Sequence, residues 1–252
     1  RPTLQEGDVL IRVHATSVNP FEWKVRAGYM KDYLPMTFPT ILGWDVSGVI
    51  EEVTAGVTHW KVGDEVICLA DTMRHGADAE YIAVSIAKLA PKPKSVDHLH
   101  AAAVPLASLA AWQTLFDTAG LSAGQKVLIH AAAGGVGSFA VQFAKWKGAH
   151  VLGTASTGNL DYIRALGVDE AIDYTTTDFE KVAKDIDVVL DTVGGEYEPR
   201  SARVLKPGGA LVSIISPTSI ETAARHGVLG FYIGAQSSAQ HLTEIGALID
   251  AG

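Results

Sequence analysis

The residues best suited to chemistry lie in one run, Lys126 to Gly137, which reads KVLIHAAAGGVG. An apolar stretch enters a glycine-rich turn. Beyond it Val136, Phe139, Ala140 and Phe143 recur at the i, i+3, i+4, i+7 spacing of one helix face. In such a turn glycine lets the backbone approach a diphosphate and lets helix pack on strand. The first amides of the helix, and the positive end of its dipole, then face the negative charge. Gly134 and Gly137 fit the second and third glycines of a G-x-G-x-x-G fingerprint. Ala132 stands where the first would be, and Gly135 adds slack beside it. The chemistry implied is dinucleotide binding; a tight βα turn and nothing more is the bland alternative.

The end of the next strand bears on which dinucleotide. An acidic residue about 20 positions on would hold both ribose hydroxyls of NAD. Here the segment is Gly153-Thr154-Ala155-Ser156-Thr157, with no carboxylate. A neutral hydroxyl site admits a 2′-phosphate that a carboxylate would repel, so NADP(H) is expected over NAD(H). No Lys or Arg follows before Arg164, which leaves recognition to Ser156, Asn159 and Tyr174. Ser156 equally fits an ordinary helix N-cap. Further on, Asp191-Thr192-Val193-Gly194-Gly195 closes another strand, and Gly194 is placed where ligands of parallel sheets sit. Pro207-Gly208-Gly209 reads as a tight reversal that needs a positive φ.

Two textures must position these residues. The first hundred residues read as strands (9–15, 46–53, 66–69, 79–84) separated by the turn residues Asn19-Pro20, Pro35, Pro39 and Ala55-Gly56. After Pro91-Lys92-Pro93 an Ala- and Leu-rich helical stretch runs from Val96 to Ala119. Short apolar strands (126–130, 150–154, 170–173, 187–191, 210–215, 228–233) then alternate with helical segments (136–147, 159–166, 179–184, 196–205). That alternation predicts an α/β class: a Rossmann-type doubly wound parallel sheet covered on both faces, preceded by a mostly antiparallel β domain. The boundary is placed between residues 1–102 and 103–252.

Composition narrows the function. Of 252 residues 48% are hydrophobic and 19% charged, so the chain can bury a core. A formal charge of −8 gives no basic footprint for nucleic acid. Cys68 is the only cysteine, which rules out an intramolecular disulfide and makes a reducing, cytoplasmic location the default. No apolar run has the ~20 residues of a membrane helix, so no membrane partner is expected. Because the chain begins at Arg1 rather than Met, it is expected to be part of a longer protein.

Taken with Ser17-Val18-Asn19-Pro20, Arg26-Ala27-Gly28, the run Pro39 to Val49 (PTILGWDVSGV), Gly63-Asp64-Glu65-Val66, Ala79-Glu80-Tyr81, Ala131 to Gly137 and Asp191 to Gly195, the whole chain resembles the medium-chain dehydrogenase/reductase superfamily. Within it the likeness is to the zinc-independent, zeta-crystallin-like quinone oxidoreductases. The resemblance implies a GroES-like, partly barrel-like catalytic domain beside the nucleotide domain. It also implies a C-terminal return segment, which the chain is expected to stop before. It places Asn19 and Lys24 at the nicotinamide and substrate end, Gly134, Gly135 and Val136 at the pyrophosphate, and Ser156 and Tyr174 at the adenosine phosphate. Val193, Gly194 and Ile214, with Ser216, Tyr232 and Ile233, would line the rest of the cofactor site. Asn19 before Pro20 also fits a turn former, Lys24 a solvated charge, and Trp44 simple burial.

Zinc-dependent relatives bring a Cys and a His-Glu pair to a catalytic metal. Here Ser17 to Pro20 stands at the first position and Gly43-Trp44-Asp45 replaces Gly-His-Glu, so no metal site is expected. Cys68 reads as core and His98-x-His100 as helix surface. The reading is hydride transfer from NADPH to a quinone or α,β-unsaturated carbonyl, acceptors that delocalise the incoming charge themselves, with solvent as proton source. A homodimer through the nucleotide domain, along the apolar strand 228–233, is the partner expected by analogy. A non-catalytic NADPH-binding sensor or structural protein and a class I methyltransferase are the rivals, the latter because Leu205 to Gly209 also occurs in that class.

Overall fold

The computed structural model describes residues 1–34 and 36–252; Pro35, read above as a turn residue, lies outside the described residues. The chain divides into two compact units, Arg1–Leu109 with Gln236–Gly252, and Ala110–Ala235.

The first unit carries β1 (Asp8–Ala15), α1 (Pro20–Arg26), β2 (Asp45–Val53), β3 (Glu65–Leu69), β4 (Tyr81–Ser85), β5 (Ala90–Pro91) and α2 (His98–Ala101). Its strands form one antiparallel sheet in the order β4-β1-β2-β3-β5. Val9, Ile11, Val46, Ile50, Val66 and Ile67 are fully buried in its core. Asn19-Pro20 is not a plain turn: Asn19 caps α1 and Pro20 takes its first position. Proline is tolerated there because that amide has no intrahelical partner. Sequence periodicity misses the helix because only Glu22 and Val25 of its residues are buried.

The helix α3 (Pro105–Trp112) continues into a π-helical turn at Gln113–Thr118 and spans the division between the units, so residues 103–109 stay with the first. Residues 236–252 join it too. The helix α9 (Ala239–Ala251) packs on β5 and β3, and its Asp250 accepts from the Lys94 and Ser95 amides at 3.1 and 2.8 Å. Part of the return to the first unit therefore lies within the chain.

The second unit alternates β6 (Lys126–Ile129), α4 (Gly135–Trp146), β7 (His150–Ala155), α5 (Leu160–Ala165), β8 (Glu170–Asp173), α6 (Phe179–Val182), β9 (Ile186–Asp191), α7 (Tyr197–Ala202), β10 (Leu205–Ser213), α8 (Thr218–Arg225) and β11 (Leu229–Tyr232). The sheet is wholly parallel, ordered β11-β10-β9-β6-β7-β8. Counted from β6 this is the 3-2-1-4-5-6 order of doubly wound dinucleotide-binding folds. Leu128, Leu152, Ile172, Phe179, Val189 and Leu211 share one buried cluster. Pro207-Gly208-Gly209 makes its reversal within β10, which begins before it at Leu205. It forms an irregularity inside β10, where Leu205 pairs Ile186 and the ladder resumes only at Ala210, with Gly208 at φ +77°.

Candidate functional site

The strand order reverses between β6 and β9, and ligands of such sheets lie outside the carboxyl ends at that reversal. The glycine turn leaves β6 there. Ala131 takes a left-handed φ of 48°. Its amide donates to Thr154 Oγ1 at 3.2 Å, and the Ala132 amide donates to the Thr154 carbonyl at 2.9 Å. Gly134 caps α4, its amide donating back to the Ala131 carbonyl at 2.9 Å. The amides of Gly135, Val136 and Gly137 open the helix, and helical geometry gives them no intrahelical acceptor.

The two fingerprint glycines do different work. A Cβ on Gly137 would strike the Ala131 carbonyl and stand 2.7 Å from Ala132 Cα, so only glycine lets α4 close on the turn. A Cβ on Gly134 would meet only the Ala131 oxygen, at 3.2 Å, so its bareness keeps the approach to the amides open. Ala132, where a first glycine would stand, is fully buried, and the positive φ falls at Ala131 instead. A backbone cradle that side chains would fill, lined by free amides, fits a diphosphate.

Across the reversal, β9 ends in Asp191, which is fully buried. Its Oδ1 accepts from the Val193 and Gly194 amides at 3.0 and 2.8 Å, and its Oδ2 from Ser213 Oγ at 2.9 Å. Thr192 Oγ1 donates to the His130 carbonyl at 2.8 Å, tying this turn to the last residue before the glycine run. Gly194 has φ +78°, with Ile215 Cγ2 only 2.8 Å from where a Cβ would lie. The Ile214 amide donates to the Asp191 carbonyl at 3.2 Å, and the Ile233 amide to the Ser213 carbonyl at 3.1 Å. Val193, Gly194, Ile214, Tyr232 and Ile233 thus gather at the adjoining ends of β9, β10 and β11. Ser216 follows, its hydroxyl 2.8 Å from Thr218 Oγ1. The anchoring role of Asp191 was missed because an acid ending a buried strand carries no periodic signal.

Beneath the glycine run, His130 is fully buried between Thr154 Oγ1 (3.2 Å) and Ser201 Oγ (2.9 Å). Burial holds its pKa down to about 4, so the ring is neutral at ordinary pH.

Ser156, Asn159 and Tyr174 come together at the ends of β7 and β8. Asn159 Nδ2 donates to Ser156 Oγ at 3.1 Å. The Tyr174 amide donates to the Ala155 carbonyl at 3.2 Å, and its side chain is half exposed. Ser156 does occupy the N-cap of the 3-10 turn Thr157–Asn159, without a hydroxyl bond to that turn. Asp173, unnoticed in sequence because it arrives on β8, stands in the same group. Thr157 Oγ1 donates to its Oδ2 at 2.6 Å, while the Thr175 hydroxyl and amide donate to its Oδ1 at 2.6 and 2.9 Å.

In the first unit Asn19 sits among carboxylates. Its Nδ2 donates to Asp45 Oδ2 at 2.7 Å and lies 3.4 Å from Glu22 Oε1; its backbone amide donates to Glu22 Oε2 at 2.9 Å. Ser17 Oγ also donates to Asp45, and the Leu106 amide reaches Asp45 Oδ1 at 2.7 Å. Burial pushes the Asp45 and Glu22 carboxyls above their ordinary range. The Lys24 ammonium lies 6.0 Å from the centre of the Trp23 ring. Cys68 is fully buried, and burial raises its thiol pKa. His98 corrects the surface reading: its ring lies 4.3 Å from that of His14, and Nδ1 is 2.8 Å from Ser47 Oγ. Only His100 is exposed, bonded to its own helix cap, Asp97, at 2.6 Å. Among the described residues no three His, Cys, Asp or Glu side chains converge to hold a metal.

Residues 5–94 match the family described as Alcohol dehydrogenase GroES-like domain, and residues 166–252 the one described as Zinc-binding dehydrogenase. The chain is 38% identical over 232 residues to the NAD(P)H oxidoreductase RTN4IP1, mitochondrial, of Danio rerio, covering 84% of this chain and 60% of that protein. It is 39% identical over 221 residues to the NADPH-dependent alkenal/one oxidoreductase, chloroplastic, of Arabidopsis thaliana, covering 84% and 56%. The chain therefore spans less than two thirds of the length of these curated relatives. The structure of the quinone oxidoreductase from Coxiella burnetii superposes with a TM-score of 0.90 at 35% identity, over 99% of this chain and 81% of that one.

Proposed function

Since the chain belongs to the medium-chain dehydrogenase/reductase superfamily, among its quinone oxidoreductase-like members, we propose that it works as an NADPH-dependent reductase of quinones or α,β-unsaturated carbonyls. The observation that carries the reading is the glycine cradle at the sheet's reversal, where free amides of α4 open beside Ala131. Bound NADPH would supply a hydride to such an acceptor.

The chain's own residues bind and orient. The amides of Gly135, Val136 and Gly137 meet the diphosphate, with Gly134 leaving the approach bare. Ser156, Asn159 and Tyr174 receive the adenosine end by hydrogen bonding. Val193 and Gly194, held by Asp191, form a wall with Ile214, Ser216, Tyr232 and Ile233. Asn19 and Lys24 are assigned to the nicotinamide and substrate end by family likeness alone. A quinone or enone spreads the incoming charge over its own conjugated system, so positioning and exclusion of competing reactions are what the protein must provide.

The single buried cysteine favours a reducing compartment, and cytoplasm is the location we propose, although the two relatives named above are mitochondrial and chloroplastic. Among the described residues no helix is long and apolar enough to cross a membrane. β11 is an edge strand with Leu229 and Tyr232 exposed, which supports pairing with a second copy. The test is energy transfer from tryptophan to NADPH on titration, followed by NADPH oxidation with quinone and enone panels. Binding without turnover of either panel would favour a sensor, and a response only to S-adenosylmethionine a methyltransferase.

A further inference from the structure

We infer that Asp173 sets the choice between NADPH and NADH, keeping the preference for the 2′-phosphate small. This deepens the reading above and rests on it. β7 and β8 pair with Ala155 opposite Asp173, so the acid stands beside the Ser156–Asn159 segment that receives the adenosine ribose. Three donors fix its carboxylate, two from Thr175 and one from Thr157. Those bonds hold its pKa below the usual carboxylate range, and it is ionised at neutral pH.

The donors left for a phosphate are uncharged. Thr157 and Thr175 spend their hydroxyl protons on Asp173. Ser156 Oγ accepts from Asn159, which leaves its own proton to give, and the Tyr174 side chain is half exposed. Between Gly148 and Glu180 the one Lys or Arg is Arg164, bonded to Asp161 at 2.8 Å. A 2′-phosphate thus gains neutral hydrogen bonds and meets a fixed negative charge. A 2′-hydroxyl meets no such repulsion.

Asp173→Asn keeps the geometry: its amide oxygen accepts from Thr175, and its NH2 donates to the Thr157 oxygen. NADPH and NADH are titrated separately into both proteins, following tryptophan quenching across a salt series, with melting recorded to check the fold. The variant is expected to bind NADPH about three to ten times more tightly, with NADH affinity unmoved. In the unaltered protein the NADPH-to-NADH affinity ratio should rise with salt as the repulsion is screened, and this arm needs no variant. A folded Asp173→Asn with an unmoved ratio, or a ratio that falls with salt in the unaltered protein, overturns the inference and leaves the NADPH reading standing. Failure of the unaltered protein to bind either nucleotide overturns both.

Discussion

The side-chain amide of Asn19 donates to the buried carboxylate of Asp45 across 2.7 Å. Through its other oxygen Asp45 accepts the Leu106 amide, in the first turn of α3, so one acid ties the loop before α1 to the start of a second helix. Asp45→Ala would take this acceptor from the Ser17 hydroxyl and the Leu106 N–H and leave the Asn19 amide only its Ser17 and Glu22 neighbours. A buried donor left unpaired costs about 1–3 kcal/mol; these donors are half-buried, so urea unfolding should show a loss of about 1 kcal/mol or more. A loss under about 0.5 kcal/mol, the scale of an ordinary surface change, would show that the network is not a support.

Stability should depend on pH through groups of opposite sign. His130 is depressed to about 4 from 6.5 by burial, so in the interval between these values the unfolded chain takes up a proton that the fold refuses. Its contribution is complete above pH 6.5 and is lost as pH falls toward 4, on the order of 3 kcal/mol in all. Asp45 and Glu22, raised chiefly by burial, run the other way. Their contribution is complete below the unfolded carboxyl value of about 4 and is lost as pH rises through their folded values. His130→Phe should therefore flatten the acid limb of a stability profile between pH 6.5 and 4, while Asp45→Asn flattens the rise in their cost above pH 4. An unchanged acid limb in the His130 variant would refute the assignment.

The two fingerprint glycines should separate folding from binding. Gly137→Ala drives a Cβ into backbone at Ala131 and Ala132, where nothing flexible can yield. Its melting temperature should fall sharply, along with nucleotide affinity. The Cβ of Gly134→Val meets one carbonyl oxygen, a tight contact at 3.2 Å, and nothing else within 4 Å. It should melt near the unaltered protein yet lose NADPH binding. Undiminished affinity in that variant would displace the proposed phosphate turn.

The parallel sheet was legible because its central strands β6, β7 and β9 are buried on both faces and are largely apolar in sequence. The glycine run was legible because Gly137 answers to a steric demand that no other residue meets. α1 was not, since a seven-residue helix with two buried side chains has no period to read. α8 escaped notice because its turns are polar and only Ser219, Thr222 and Ala223 are buried. Asp173 and Asp191 were invisible as site residues for a different reason. Their nearby partners, Thr175 and the Val193–Gly194 amides, form ordinary turn bonds that carry no site signal, and the partners that place them at the site, Thr157 and Ser213, come from across parallel crossovers.

Asp191 offers the sharpest check on the wall after β9. Its carboxylate is the acceptor for both amides of the Val193–Gly194 turn and for Ser213, whose own oxygen then accepts the Ile215 amide at 3.1 Å. Asp191→Ala removes the acceptor and lets Gly194, at φ +78°, lose the bond that holds it against Ile215. NADPH affinity should fall about tenfold or more, equivalent to roughly 1.4 kcal/mol or above, the scale of one lost buried hydrogen bond. Asp191→Asn keeps an oxygen for the two amides and offers Ser213 a donor in place of an acceptor, so it should fall between the other two. If the alanine variant bound NADPH as tightly as the unaltered protein while the asparagine variant did not, the turn would owe its shape to something other than this carboxylate.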